Sequence, residues 1–109
     1  MNEIKLKDLK KVLMVNVGYI RLGSHTKRRM NKRGYTKGDM VSGVMTGEIV
    51  EVQYGFNYEL RKSCFTYVVE GKDTSGNPIV IVVSEEGRYK FLVVTVMPPT
   101  DRNRFIDCI

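Results

Sequence analysis

The sequence has few of the residues that build metal sites and disulfide frameworks. It contains two cysteines (Cys64 and Cys108), one histidine (His25) and no tryptophan. Two cysteines so far apart in sequence define no disulfide framework, and we expect both thiols to be reduced. Neither a CxxC nor an HxxxH spacing occurs, so the sequence predicts no metal site and no cofactor.

Long hydrophobic runs are also missing. No segment approaches the roughly 20 apolar residues that a membrane-spanning helix needs. Residues 10–17 loosely imitate a signal peptide, but acidic residues (Glu3 and Asp8) lie in the part that would be basic, and Asn16 interrupts the apolar run. No Ala-x-Ala-like cleavage site follows. We therefore expect a cytoplasmic protein that contacts no membrane.

Basic residues are abundant and unevenly distributed. The chain of 109 residues, a length that suits one domain, has a formal net charge of +6. Residues 1–38 carry 11 Lys and Arg against two acids (+9), whereas residues 39–109 carry seven against ten (−3). This segregation favours a surface that faces phosphate groups, and it is equally compatible with an acidic protein partner. The oligomeric state cannot be read from these features.

The N-terminal half has the patterns of three helices. Residues 3–15 place Leu6, Leu9, Val12 and Leu13 on one helical face, which predicts a short amphipathic helix. Residues 15–22 either extend this helix or form a strand. Ser24 is the predicted N-cap of a basic helix over residues 25–33 that ends at Gly34, and Thr36 with Asp39 resembles a capping box for a third helix that ends at Gly47.

From Glu48 onward the hydrophobic period changes to two. Strands are predicted at residues 50–54, 63–70, 79–83 and 89–97, and the wholly apolar run at 79–83 is typical of a central strand covered on both faces. The order therefore predicts an α+β fold in which N-terminal helices pack on a four-stranded antiparallel meander. Part of the opposite sheet face is expected to be left for function.

The basic helix carries the strongest functional signal. His25 is in its first turn, and helical spacing places Arg28, Arg29, Lys32 and Arg33 on or beside the same face. Because Met30 is almost its only apolar residue, we expect most of the helix to be exposed. The structural alternative is that His25 is a surface or capping residue and that the cations form a solvated face.

These residue types suit metal-free cleavage of RNA. Such cleavage needs a base for the 2′-hydroxyl proton, cations for the phosphorane and an acid for the leaving 5′-oxygen. Imidazole titrates near neutral pH, and the planar guanidinium group matches phosphate oxygens. A helix N-terminus adds backbone N–H donors for an anion. Residues 24–33 contain an imidazole, guanidinium groups and a predicted helix N-terminus.

Other candidates are more ambiguous. Thr95 interrupts an apolar strand, and its hydroxyl either bonds a neighbouring carbonyl group or faces a phosphate from the exposed sheet face. Arg102 and Arg104 either contact phosphate or only solubilise the tail. Four strand and loop tyrosines either stack on unpaired bases or pack within the fold: Tyr54, Tyr58, Tyr67 and Tyr89.

Four segments of the chain form a recognisable series: the stretch from His25 to Gly34 (HTKRRMNKRG), the Thr36-capped helix, the Gly-Glu-Ile-Val-Glu strand at residues 47–51 and the final Val-Val-Thr-Val strand. In this order they resemble a bacterial family, domain of unknown function 4258. The resemblance covers roughly residues 20–105. It implies a RelE-like or BrnT-like fold, as in many metal-independent ribonuclease toxins, and it maps the site onto His25, Arg29, Arg33 and Thr95. Met97 departs from the family, which commonly has an aromatic residue there.

Two functional hypotheses follow. In the first, residues 1–19 are an amphipathic helical extension and residues 20–109 form a toxin-type RNA endonuclease that an acidic antitoxin neutralises. In the second, the protein is a non-catalytic module whose basic helix (residues 25–33) docks RNA or an acidic protein segment, and whose N-terminal amphipathic helix joins a partner or a second subunit. In both, the expected nucleic-acid contacts are Lys27, Arg28, Lys32, Arg102 and Arg104.

Overall fold

A computed structural model describes residues 2–99 of the chain. This part contains three helices, α1 (Asn2–Val15), α2 (Ser24–Arg33) and α3 (Lys37–Thr46). Its five strands are β1 (Tyr19–Leu22), β2 (Glu48–Asn57), β3 (Lys62–Lys72), β4 (Pro78–Gly87) and β5 (Lys90–Met97). Arg102, Arg104 and Cys108 lie outside the described residues.

The five strands form one mixed sheet in the order β1-β5-β4-β3-β2. Strands β2 to β5 are the predicted antiparallel meander, and β1 lies parallel to β5, with Tyr19 opposite Lys90 and Leu22 opposite Val93. The α+β class is confirmed, but the prediction of four antiparallel strands is wrong. A four-residue strand has no readable period, and its partner β5 is nearly 70 residues away in the sequence, so local pattern could not reveal the pairing.

Helices α1 and α3 cover one face of the sheet and bury one principal core. Leu9 and Val12 of α1, together with Met40 and Val44 of α3, pack against the inward residues of the central strands. The amphipathic pattern of the first helix is thereby confirmed. The prediction for residues 79–83 is also confirmed, because all five side chains are fully buried. No described helix combines the length and apolarity needed to cross a membrane.

The capping box that begins α3 is confirmed in both directions. The Thr36 hydroxyl accepts a hydrogen bond from the Asp39 backbone N–H at 3.1 Å, and the Asp39 carboxylate accepts one from the Thr36 N–H at 2.9 Å. The second carboxylate oxygen accepts from the hydroxyl and the backbone N–H of Thr74, at 2.6 and 3.1 Å. These donors, led by the Thr74 hydroxyl, lower the pKa of Asp39 to about 2.

Candidate nucleic-acid interface

Helix α2 is attached to the edge of the sheet by two of its own side chains. Strand β1 pairs only with residues 90–93 of β5, so no described strand adjoins the second half of β5 on that side. The Thr26 hydroxyl lies 3.1 Å from the carbonyl oxygens of both Val93 and Val94. Arg33 Nη1 donates to the carbonyl oxygen of Val96 at 2.8 Å. The basic helix therefore takes the place of a strand at this edge.

The start of α2 differs from the prediction by one residue. Gly23, not Ser24, is the N-cap; its backbone is extended, and its carbonyl oxygen accepts the first helical hydrogen bond from the Lys27 N–H at 3.0 Å. Ser24 is already helical, and no side chain caps this terminus. A glycine N-cap costs little in place of serine, so sequence preference did not separate the two positions. The predicted end at Gly34 is confirmed by its left-handed conformation.

The surface of α2 is almost entirely polar. Thr26 and Met30 are its only buried residues, which confirms that most of the helix is exposed. Sequence analysis missed Thr26, although its position four residues before Met30 placed it on the same helical face. Within residues 2–99 no carboxylate forms an ion pair with the exposed basic side chains, which are His25, Lys27, Arg28, Arg29, Lys32 and Arg33.

Two of the four predicted catalytic residues are in contact. Arg33 Nη1 donates a hydrogen bond to the Thr95 hydroxyl at 3.3 Å. Thr95 is opposite Val82 in the register of β4 and β5, on the sheet face that α1 and α3 leave uncovered. It is nevertheless only 7% exposed. The hydroxyl is thus a buried acceptor that orients the guanidinium group.

The other two predicted catalytic residues, His25 and Arg29, are exposed and form no hydrogen bond within the described chain. Helical spacing places both on the flank of α2 that also carries Arg33, within an arc of about 80°. This flank is the one next to Thr95. His25, Arg29 and the free Nε and Nη2 donors of Arg33 therefore border one side of the helix, where an anion has access to them.

A separate groove lies at the other side of the molecule. It encloses about 580 Å³ between α1 and the sheet, and its lining includes Ile4, Lys5, Tyr54, Phe65 and Glu85. Within it, Glu85 accepts hydrogen bonds from Lys5 at 2.7 Å and from the Tyr67 hydroxyl at 3.1 Å. Burial, followed by the charge of Glu85, raises the pKa of Tyr67. Sequence analysis did not detect this groove, because its walls meet only in the fold.

Among residues 2–99, no three His, Cys, Asp or Glu side chains are grouped in a way that would hold a metal ion. The side chains exposed on α2 supply five cations, one imidazole and the Ser24 hydroxyl. These groups bind and polarise anions, and they transfer protons.

Comparison with known proteins bears on the family resemblance. No curated protein and no solved structure matches the chain. The RelE-like or BrnT-like relation therefore stays a prediction. The family model described as Domain of unknown function (DUF4258) matches residues 22–98, a slightly shorter range than the resemblance suggested, and includes α2, α3 and the whole meander. The chain belongs to the DUF4258 family.

Proposed function

We propose that the exposed face of α2 binds the phosphate backbone of RNA. The observation that carries this proposal is the absence, within residues 2–99, of any carboxylate paired with the five cations of this ten-residue helix. Uncompensated like charges on one short helix repel each other. A polyanion removes this repulsion and releases its own counterions when it binds.

The shape of the surface favours a nucleic acid over a small anion. A ten-residue helix is about 15 Å long, which matches four to five nucleotides at a rise of about 3.4 Å. Three of its five cations are arginines, whose planar donor groups bind phosphate oxygens in pairs. The N-terminus has no side-chain cap, so its N–H groups and the helix dipole also favour an anion.

The test compares variants with equal loss of charge. Arg28→Gln with Lys32→Gln removes two cations from the solvent side of α2. Lys7→Gln with Lys72→Gln removes two exposed cations elsewhere. Binding of a labelled single-stranded RNA is measured by fluorescence anisotropy over a series of salt concentrations, with a polyglutamate chain as competitor.

For the α2 variant we expect weaker binding and a slope of log K against log salt that is shallower by about 1.4, or about 0.7 for each lost phosphate contact. The control variant should retain most of the wild-type affinity and slope. Equal effects of the two variants would reject α2 as the binding surface. If polyglutamate displaces RNA at equal charge concentration, an acidic protein is the better partner.

The second candidate function is metal-independent cleavage of RNA, as in a toxin that an acidic antitoxin neutralises. The contact between Arg33 and Thr95 favours it, because it orients a guanidinium group on the helix flank that also carries His25 and Arg29. In this reaction His25 either takes the 2′-hydroxyl proton while water protonates the departing 5′-oxygen, or protonates that oxygen while water takes the 2′-hydroxyl proton. The 2′-oxygen attacks phosphorus, the bond to the 5′-oxygen breaks, and Arg29 and Arg33 stabilise the phosphorane.

A further inference from the structure

The outer edge of β2 carries exposed apolar side chains. Strand β2 is last in the strand order, and residues 52–57 have no described strand on their outer side. Antiparallel edges of this kind present unpaired N–H and C=O groups that pair readily with another strand.

An aromatic strip accompanies this edge. We define it as Val52, Tyr54 and Phe56 of β2 together with Phe65 of β3, which share the sheet face that the helices cover elsewhere. Tyr54 is 65% exposed and Phe56 is 53% exposed, and the Tyr54 and Phe65 rings meet edge-to-face at 4.8 Å. Aromatic side chains bury roughly 150–250 Å² each, so the strip exposes on the order of 400 Å² of apolar surface, of which a strand added to β2 covers the part along the edge.

Among the described residues, the segment 52–57 of this edge lacks three common protections against pairing. Between Val52 and Asn57 there is no proline, charged residue or bulge. The one irregularity of β2 lies earlier, where its register with β3 shifts between Ile49 and Glu51. Natural edge strands are commonly guarded by such features, so their absence here indicates an edge that is covered in the functional state.

We propose that β2 pairs with β2 of a second copy of this chain, antiparallel and about a two-fold axis at Tyr54. In this register Val52 faces Phe56 of the second copy, Tyr54 faces its equivalent and Gln53 faces Gly55. Apolar residues are thus opposite apolar residues. A two-fold axis placed nearer to the N-terminus of β2 would bring the irregular segment at Val50 into the pairing, which disfavours such a register.

The distribution of charge permits this contact. The cations of α2 lie beside β5, and β5 is separated from β2 by two strands, a distance of about 14 Å across the sheet. Residues 39–109, which include β2, have a slightly negative formal charge. The repulsion expected from the α2 cations therefore acts between surfaces that stay far apart, whereas the lysines of α1, which contacts β2, lie nearer to the pairing edge. The paired form has one continuous ten-stranded sheet with an α2 helix toward each end.

The apolar surface is modest, so we expect a reversible dimer whose population depends on concentration. Light scattering after gel filtration, over a hundredfold range of loading concentration, measures the mass. Wild type should approach twice the monomer mass. Tyr54→Lys should remain monomeric, because a lysine on an exposed edge prevents pairing. Met14→Lys, at an equally exposed apolar residue of α1, is the control and should dimerise like wild type.

Cross-linking tests the register. In a chain with Cys64→Ala and Cys108→Ala, Tyr54→Cys should form a disulfide-linked dimer on mild oxidation, and Met14→Cys should not. A wild-type chain that is monomeric at every concentration overturns the proposal and leaves the edge for a strand of a different protein. A dimer that persists in Tyr54→Lys, or that Tyr54→Cys does not cross-link, overturns it as well.

Discussion

The Arg33 guanidinium group joins α2 to the last strand, because one nitrogen atom donates both to the Thr95 hydroxyl at 3.3 Å and to the Val96 carbonyl oxygen at 2.8 Å. Arg33 therefore has a structural contribution that is independent of any phosphate. Loss of activity in an Arg33 variant alone would not establish a functional role. Arg29, on the same flank and without such contacts, is the matched control.

We expect Arg33→Ala to lower the free energy of unfolding by about 1–2 kcal/mol. The Val96 carbonyl loses its side-chain donor at an edge where no described strand replaces it, and an unpaired buried acceptor costs roughly this amount. Arg29→Ala should change stability by less than about 0.5 kcal/mol, as is usual for an exposed residue. Urea denaturation of the two variants measures both values. Equal stability of the two would show that Arg33 does not hold α2 to the sheet.

The ribonuclease proposal makes a prediction that mere RNA binding does not. In EDTA, His25→Ala should lower the rate of cleavage by about 10²–10⁴-fold, the usual contribution of a general acid or base. RNA affinity should change little, because one exposed imidazole is removed from a surface with five cations. Cleavage is followed on an end-labelled RNA and on the same strand with 2′-deoxy nucleotides, which should stay intact.

If His25→Ala cleaves RNA at the wild-type rate, His25 takes no part in the reaction. Absence of cleavage by wild type, together with RNA binding that depends on α2, would leave only the binding function. Growth arrest on expression, absent for His25→Ala, is the corresponding observation in cells.

Local patterns predicted most elements but not how they assemble. The capping box at Thr36 and Asp39, the Gly34 terminus and the buried run at residues 79–83 depend on neighbours in sequence, and all three were predicted correctly. The sequence does not distinguish a strand from an extension of the first helix at β1, because four residues show no period. The pairing of β1 depends on β5, which is distant in the chain.

The same distinction applies to the candidate site. Composition and helical spacing identified the cations of α2 and their exposure. The double contact of Arg33 could not be foreseen, because it depends on which carbonyl groups β1 leaves unpaired along β5. Thr95 was noticed as a polar residue in an apolar strand, but its burial depends on how the sheet and α2 meet.

Acid should destabilise the fold through Asp39. The hydrogen bonds to its carboxylate lower its pKa in the folded chain to about 2, below the value of 3.8 that is typical of a free aspartate. The unfolded chain therefore binds this proton first, and the stabilisation is present above pH 4 and is lost as the pH falls from about 4 to 2. Denaturant unfolding at pH 5 and at pH 3 should show a smaller loss in Asp39→Asn than in wild type.

Glu3→Gln removes one carboxylate from the exposed face of α1 and serves as the control for net charge. Its loss of stability between pH 5 and pH 3 should equal that of wild type. An Asp39→Asn chain with the wild-type pH dependence would assign the acid sensitivity to other carboxylates. Thr74→Val, which removes the strongest of the donors to Asp39, should give an intermediate result.

The contact between α3 and β3 depends on glycines, which predicts opposite effects for two similar substitutions. A Cβ atom at Gly71 would lie 2.9 Å from the carbonyl carbon of Gly43, closer still to its oxygen, and 3.0 Å from the Cα of Gly47. All three atoms are backbone, so α3 must shift, and we expect Gly71→Ala to lower the free energy of unfolding by about 3 kcal/mol.

A Cβ atom at Gly38, in the first turn of α3, makes only ordinary contacts, the nearest at 3.5 Å. Gly38→Ala should therefore raise stability by about 0.4–1 kcal/mol, since alanine restricts the unfolded chain and favours the helix. Urea midpoints of the two variants, measured side by side, should lie on opposite sides of the wild-type value; a Gly71→Ala midpoint equal to that of wild type would mean that α3 and β3 are not in direct backbone contact.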